Sequence, residues 1–336
     1  MVQAQVKGSP ITSKSVKNFL SNNAIIILIV LLALVVGIST DNFFSVNNFR
    51  NLVVNTALRF IIALGVSGCL ITKGTDLSAG RMVGLSACLS AMLLQSVDYS
   101  ARMLPWLPDI PVIGGLIIVL LICAVFGAIS GCVIAFLKVP PFIATLGMQT
   151  IVYGLCSVIT NNQPMGGYKQ SYTNVANGSF FVIPYLALIA LAVGIFMWFL
   201  YNKTRHGKYM YAIGGNESAA QVAGVNVSAT LIRIYVLAAV MYALGGFLLG
   251  AKAGGASTAT GFGYELEAIA ACTIGGVSTN GGVGRVSGVL VGVLVFETLK
   301  ICLQFLGVDP AYTFIVQGLV IIVAVALDLR KYLAKK

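Results

Sequence analysis

The stretch AIIILIVLLALVVGI, Ala24 to Ile38, carries no charged residue, and comparable apolar blocks recur through the rest of the chain. A helix needs about 20 apolar residues to cross a hydrocarbon core of about 30 Å, and blocks of that length dominate here. A 19-residue window picks out about ten candidate spans, at 24–40, 52–72, 82–97, 112–137, 141–160, 180–201, 228–250, 264–278, 285–305 and 312–329. The third and eighth are short for a full crossing. Composition agrees: 58% of the residues are hydrophobic and only 9% charged, against roughly 25% charged in a soluble domain. The expected fold is therefore all-α, a polytopic membrane protein embedded in lipid.

Charge placement orients the spans. Lys7, Lys14 and Lys17 precede the first block, and no small-x-small cleavage site follows it, so that block reads as a retained span rather than a secretory signal. With the N-terminus inside, the inner segments hold Lys73, Lys138, Lys203, Arg205, Lys208, Arg330, Lys331, Lys335 and Lys336 as well. The outer segments hold only Arg50, Arg102, Lys169 and Lys252. Both termini are then cytoplasmic. The expected organisation is an N-terminal segment 1–23, a single transmembrane domain 24–329 with a cytoplasmic loop 202–227, and a tail 330–336. The net charge of +11 lies in short runs at span ends, without interleaved aromatics, so no nucleic acid is implied. The seven cysteines lie inside apolar segments and form no CxxC pair, which implies packing and neither metal nor disulfide. The single histidine, His206, has no acidic or cysteine partner at ligand spacing, and no cofactor is implied.

Two interruptions resemble each other. KGTDLSAGR (73–81) follows the second span, and KAGGASTATGFG (252–263) follows the seventh. Each joins a long apolar helix to a short one rich in small residues. They are five spans apart, and an odd offset turns the two halves opposite ways across the bilayer. That is the pattern of an inverted repeat of five-helix halves, whose broken helices flank a transport path. Asp76, Ser78, Arg81, Glu265 and Glu267 flank the breaks and are expected to shape or gate that path. Asp76 and Arg81 are close enough in sequence to pair locally, and Glu297 and Lys300 are spaced as an i,i+3 pair. Either pairing, or snorkelling at a span end, would explain those charges without function. Gly127 and Gly131 are spaced for close helix packing.

The polar stretch 205–227 is long for a simple connection, since helix–helix links usually take about 2 to 8 residues. Asn216 is a plausible N-cap, Glu217, Ala219, Ala220, Gln221 and Ala223 tolerate helix, and Gly224 stands where a left-handed cap would. Gly214, Gly215, Asn216, Glu217, Ala219, Ala220 and Gly224 thus outline a short capped helix suited to docking on a soluble partner. A connector that touches nothing is the bland alternative. No Walker motif, nucleophile elbow or His/Asp/Ser set is present, so no catalytic residue is assigned and the chain is not read as an enzyme.

GTDLSAGR (74–81), VPPFIATLG (139–147), AIGGNESAAQVAGVNV (212–227) and YELEAIAACTIGGVSTNGGVGRVSG (264–288) together resemble the permease subunits of bacterial sugar ABC importers, the group that serves ribose, xylose and galactose. Segments 59–81 and 203–216 look closest to its galactose/methyl-galactoside branch. The resemblance covers nearly the whole chain, though Thr75 and Ala79 stand where relatives often carry Ile and Val. It implies an inner-membrane importer of a neutral sugar, galactose or methyl galactoside, with ribose or another sugar as the alternative. It also implies a second permease copy, a pair of separate ATP-binding domains docked on the cytoplasmic loop, and a periplasmic sugar-binding protein. An ion-coupled carrier is the competing class, against which the spans show no chain of midplane carboxylates. A membrane-embedded enzyme or scaffold is the third reading.

Overall fold

The computed structural model describes residues 24–333, so the segment 1–23 and the last residues of the tail fall outside it. Every candidate span contains a helix. In chain order the helices are α1 (Ala24–Ser39), α2 (Val46–Ile71), α3 (Ala79–Leu93), α4 (Val112–Phe136) and α5 (Pro141–Thr160). A short α6 (Gln170–Asn177) and a two-residue hairpin, β1 (Ser179–Phe180) with β2 (Ile183–Pro184), lead to α7 (Tyr185–Lys203). Then come α8 (Arg205–Gly215), α9 (Glu217–Val222), α10 (Val227–Ala253), α11 (Tyr264–Ile274), α12 (Val286–Phe305) and α13 (Pro310–Leu333).

Seven of these, α2, α4, α5, α7, α10, α12 and α13, are long and apolar enough to cross a membrane. The expected weak spans are the short ones: α3 has 15 residues and α11 has 11. At 1.5 Å rise per residue these reach about 22 and about 16 Å, less than a hydrocarbon core of about 30 Å. α1 is also short, at 16 residues.

Helix packing is reciprocal between the halves. α2 packs on α11 and α12 of the second half, and α10 packs on α3 and α4 of the first. Within each half the third helix lies on the fourth and fifth: α3 on α4 and α5, α11 on α12 and α13. α2 and α10 pack on each other at the centre. That exchange is the contact pattern of an internal repeat. The first helix of each half departs from it, because α1 packs on α12 whereas α7 packs on α2.

The core lies around α10 and α2, with Tyr235, Tyr242, Phe247, Ile61 and Leu64 fully buried. Gly127 and Gly131 bring α4 onto the backbone of α10, where added Cβ atoms would press on Ala239 and on the Cα atoms of Val236 and Ile232. The spacing read from sequence is thus one helix crossing, the small-residue mode of packing in lipid. Facing outward, α4, α5, α7 and α13 expose Ile113, Leu121, Ile151, Leu191, Ile195, Leu319 and Ile322, as lipid-facing surfaces do.

Candidate functional site

The two breaks meet inside the bundle. The backbone of 254–263 lies against the first turns of α3: a Cβ at Gly80 would collide with the Gly261 carbonyl and the Glu265 carboxylate, and one at Gly84 with the Thr260 carbonyl. α11 begins deep as well, since Glu267 in its first turn is 2.8 Å from Arg59, which lies midway along α2. Both short helices therefore start within the bundle, their N-termini facing its interior. Broken helices of this kind line transport routes.

The first break is tied to the long helix of the other half, and the second to α3. Asp76, 2% exposed, accepts from the Ser78 amide at 2.9 Å and the Ser78 hydroxyl at 2.6 Å through Oδ1. Its Oδ2 accepts from the Tyr242 hydroxyl of α10 at 3.1 Å. The local Asp76–Arg81 pair allowed by the sequence is not made. Arg81 instead donates to the Thr258 carbonyl at 2.9 Å and lies over the rings of Tyr153 and Phe262, joining α3 to the opposite break and to α5. The Thr145 hydroxyl of α5 accepts from the Leu77 amide at 3.1 Å, fixing the first break from a third side. Tyr242 and Thr145 belong to the site, yet neither has a spacing that singles it out.

Glu267 joins a larger cluster. The Arg59 Nε lies 2.8 Å from Glu267 Oε2 and 2.7 Å from Glu297 Oε1; the Lys300 Nζ lies 3.0 Å from Glu267 and 3.3 Å from Glu297. The i,i+3 pair expected at Glu297 and Lys300 forms, but inside this neutral tetrad. Arg59 was missed because its partners lie more than 200 residues away; the cue was a guanidinium in mid-span, which must find carboxylates. A small cavity of about 10 Å³ lies beside the tetrad, lined by Tyr264 and Phe296 as well as its acidic groups. Glu265, the other carboxylate of α11, is 6% exposed and its Oε2 has no hydrogen-bond partner. Of the route candidates, Asp76 and Ser78 form one group, Arg81 and Glu265 flank the contact between breaks, and Glu267 sits apart in the tetrad.

At one end of the bundle, 205–227 folds as two helices. Thr204 caps α8, a helix the sequence does not announce, though Gly207, Met210, Ile213 and Gly214 recur at helical spacing and are buried. α9 has the expected cap, Asn216 Oδ1 accepting from the Ala219 amide at 3.0 Å, and Gly224 at φ +85° follows it. Gly215, Asn216, Glu217, Ala219 and Gly224 are exposed, whereas Gly214 and Ala220 are buried. A partner would therefore meet neither of those two. Val222, which the sequence does not single out, is 91% exposed.

This end is bound into the bundle. The Gly282 amide donates to the Ile71 carbonyl at 2.8 Å, and the Tyr211 hydroxyl donates to the Gly284 carbonyl at 2.8 Å. Asp328 of α13 accepts from the Ser278 and Thr279 hydroxyls of the same loop. Burial, with Arg233 nearby, holds His206 below the ordinary imidazole range. A folded-state pKa below the unfolded one favours folding above the unfolded value and loses that contribution as pH falls.

Mid-bundle broken helices, small-residue crossings and an outer belt of apolar side chains fit a membrane-transport component. The chain belongs to the family described as branched-chain amino acid transport system / permease component, matched over residues 48–325. Among its relatives is the galactose/methyl galactoside import permease protein MglC of Escherichia coli (strain K12), 44% identical over 98% of this chain and 100% of the relative. The protein of that name from Haemophilus influenzae is 43% identical over 95% and 97%. The ribose import permease protein RbsC of Bacillus subtilis is 38% identical over 90% of each. No solved structure matches the chain.

Proposed function

We propose that this chain forms the membrane route of an ATP-driven importer for galactose or methyl galactoside. The observation that carries this reading is its near full-length similarity to permeases named for that import. Ribose is the second reading, because ribose permeases are also similar, at lower identity. The substrate reading rests on the relatives, since the polar side chains at the breaks are already engaged within the bundle, Asp76 with Ser78 and Tyr242 and Arg81 with Thr258. A high-affinity sugar site would need several convergent polar groups around an aromatic wall. Recognition therefore falls to a soluble sugar-binding protein outside, and the permease supplies a passage.

ATP is hydrolysed by a separate subunit docked on α9, with residues 214–224 at the contact and both termini on that cytoplasmic side of the bacterial inner membrane. A second permease copy completes the route. Motion of α9 would pass through α8 to the Ile71–Gly282 contact, and from there into the 72–78 break that carries Asp76. The test is uptake into proteoliposomes. Galactose should accumulate only when binding protein, ATPase and ATP are all present, and calorimetry on the permease alone should show no micromolar galactose binding. Accumulation driven by a proton gradient without ATP overturns the reading.

Two lysines support the docking assignment. Lys73 (φ +62°) follows α2 and Lys138 (φ +55°) follows α4, both in the left-handed region that glycine favours. Both reach the α8–α9 junction: Lys73 Nζ donates to the Gly215 carbonyl at 3.4 Å, and Lys138 Nζ lies 3.7 Å from Glu217. A lysine kept where glycine would sit without strain serves through its side chain. Lys73→Gly with Lys138→Gly should leave unfolding stability unchanged or higher. Sugar transported per ATP should fall about threefold, the scale of exposed ion pairs of about 0.2–1 kcal/mol. Equal coupling in the double variant would remove the lysines from the docking surface.

A further inference from the structure

We propose that Arg59 is a positioning residue that holds the α11 half-helix in its closed seat through Glu267, with Glu297 as the alternate acceptor that receives the guanidinium when α11 moves. The inference rests on the permease reading above, but not on which sugar passes. α2 belongs to the first half of the chain, and α11 and α12 to the second, so Arg59 is a charged tie across the repeat. Its Nε sits almost midway between the two carboxylates, at 2.8 and 2.7 Å.

Their bonding is unequal. Glu267 accepts from the Arg59 Nε and from Lys300 through both oxygens. Glu297, only 2% exposed, lies within ion-pair distance of both cations, yet its Oε1 has no hydrogen bond. A buried carboxylate held by charge alone is costly, and a small rotation of the guanidinium would satisfy it at the expense of Glu267. Discrete alternatives of this sort let a packed interior be bistable.

The seat matters because of what α11 carries. Its first turn brings Glu265 against Gly80, where the two breaks close on each other. Tyr264, which begins the helix, stacks under the Arg59 guanidinium at 4.9 Å. The exchange needs no large void, because the Arg59 Nε already lies 2.8 Å from Glu267 and 2.7 Å from Glu297. Fixing α11 keeps the contact shut, and releasing Glu267 frees it.

The test uses the full transporter in proteoliposomes, with ATP-independent equilibration of labelled galactose, xylose and mannitol measured beside ATP-driven uptake. Arg59→Gln should raise the leak of all three solutes at least tenfold, and Arg59→Lys should restore part of the seal. Glu297→Gln, which leaves Arg59 and Glu267 intact, should lower ATP-driven uptake at least tenfold without raising the leak. A leak in Arg59→Gln and none in Glu297→Gln separates positioning from a merely structural role, in which both variants leak or unfold alike. A tight Arg59→Gln variant, or equal leaks in the two, overturns the proposal. If Arg59→Gln does not assemble, Glu297→Gln decides: normal uptake overturns the proposal, and lost uptake behind an intact seal supports it. Wild-type failure to carry galactose would fault only the sugar assignment, since the leak comparison uses three solutes.

Discussion

Val222→Asp leaves the permease folded and inserted while weakening its hold on the ATP-binding subunit by about thirtyfold. The valine is 91% exposed on α9, beside the exposed run Gly215–Ala219. An apolar side chain standing free at a helix end contributes little to its own fold, so stability should change by less than about 0.5 kcal/mol. Buried at the centre of an interface, the same residue would act as an anchor of about 2 kcal/mol, and a carboxylate there would be desolvated without a partner. Titration of detergent-solubilised permease with the ATPase measures the affinity, and thermal unfolding of the permease alone controls for damage. Substituting Ala220 would be a poorer experiment. That side chain is buried, so a bulky replacement would first disrupt the packing of α9 on the bundle. Unchanged affinity in Val222→Asp would move the docking surface away from α9.

How much of this was legible in the sequence follows from the range of each interaction. The positions of the apolar helices, the shortness of the third and eighth, the Asn216 cap and the left-handed Gly224 depend on neighbours a few residues apart, and all were readable. The Glu297–Lys300 pair was readable for the same reason. Asp76 and Arg81 show where local reasoning fails. They are five apart, but the break turns Asp76 toward Tyr242 on α10 and Arg81 toward Thr258, so partners 166 and 177 residues away replace the near one. Arg59 is the sharper case. A lone arginine in RFIIALGVSG announces a buried counter-charge, yet the sequence cannot say which of several distant glutamates supplies it. α8 was readable from the spacing of its buried residues, but its glycines and charges obscured the stripe.

Asp76→Ala should abolish uptake and destabilise the fold by several kcal/mol, whereas Asp76→Asn should keep uptake within about threefold of the parent. Both expectations follow from the bonding of one carboxylate. Its oxygens serve the Ser78 amide, the Ser78 hydroxyl and the Tyr242 hydroxyl, all inside the bundle. Alanine leaves those three donors without an acceptor, at about 1–3 kcal/mol for each buried group. Asparagine keeps a carbonyl oxygen for Ser78 and turns its amide toward Tyr242, whose hydroxyl can accept as well as donate. The charge itself would then be dispensable and the geometry of the break essential. Tyr242→Phe adds the cross-check. If the pair acts as one clamp, the loss in Asp76→Ala/Tyr242→Phe will be smaller than the sum of the single losses, by about 0.5–3 kcal/mol. Uptake and thermal unfolding on the four proteins complete the cycle. Should Asp76→Asn be as inactive as Asp76→Ala while unfolding like the parent, the carboxylate charge would be serving transport directly, and its role as a clamp on the break would have to be abandoned.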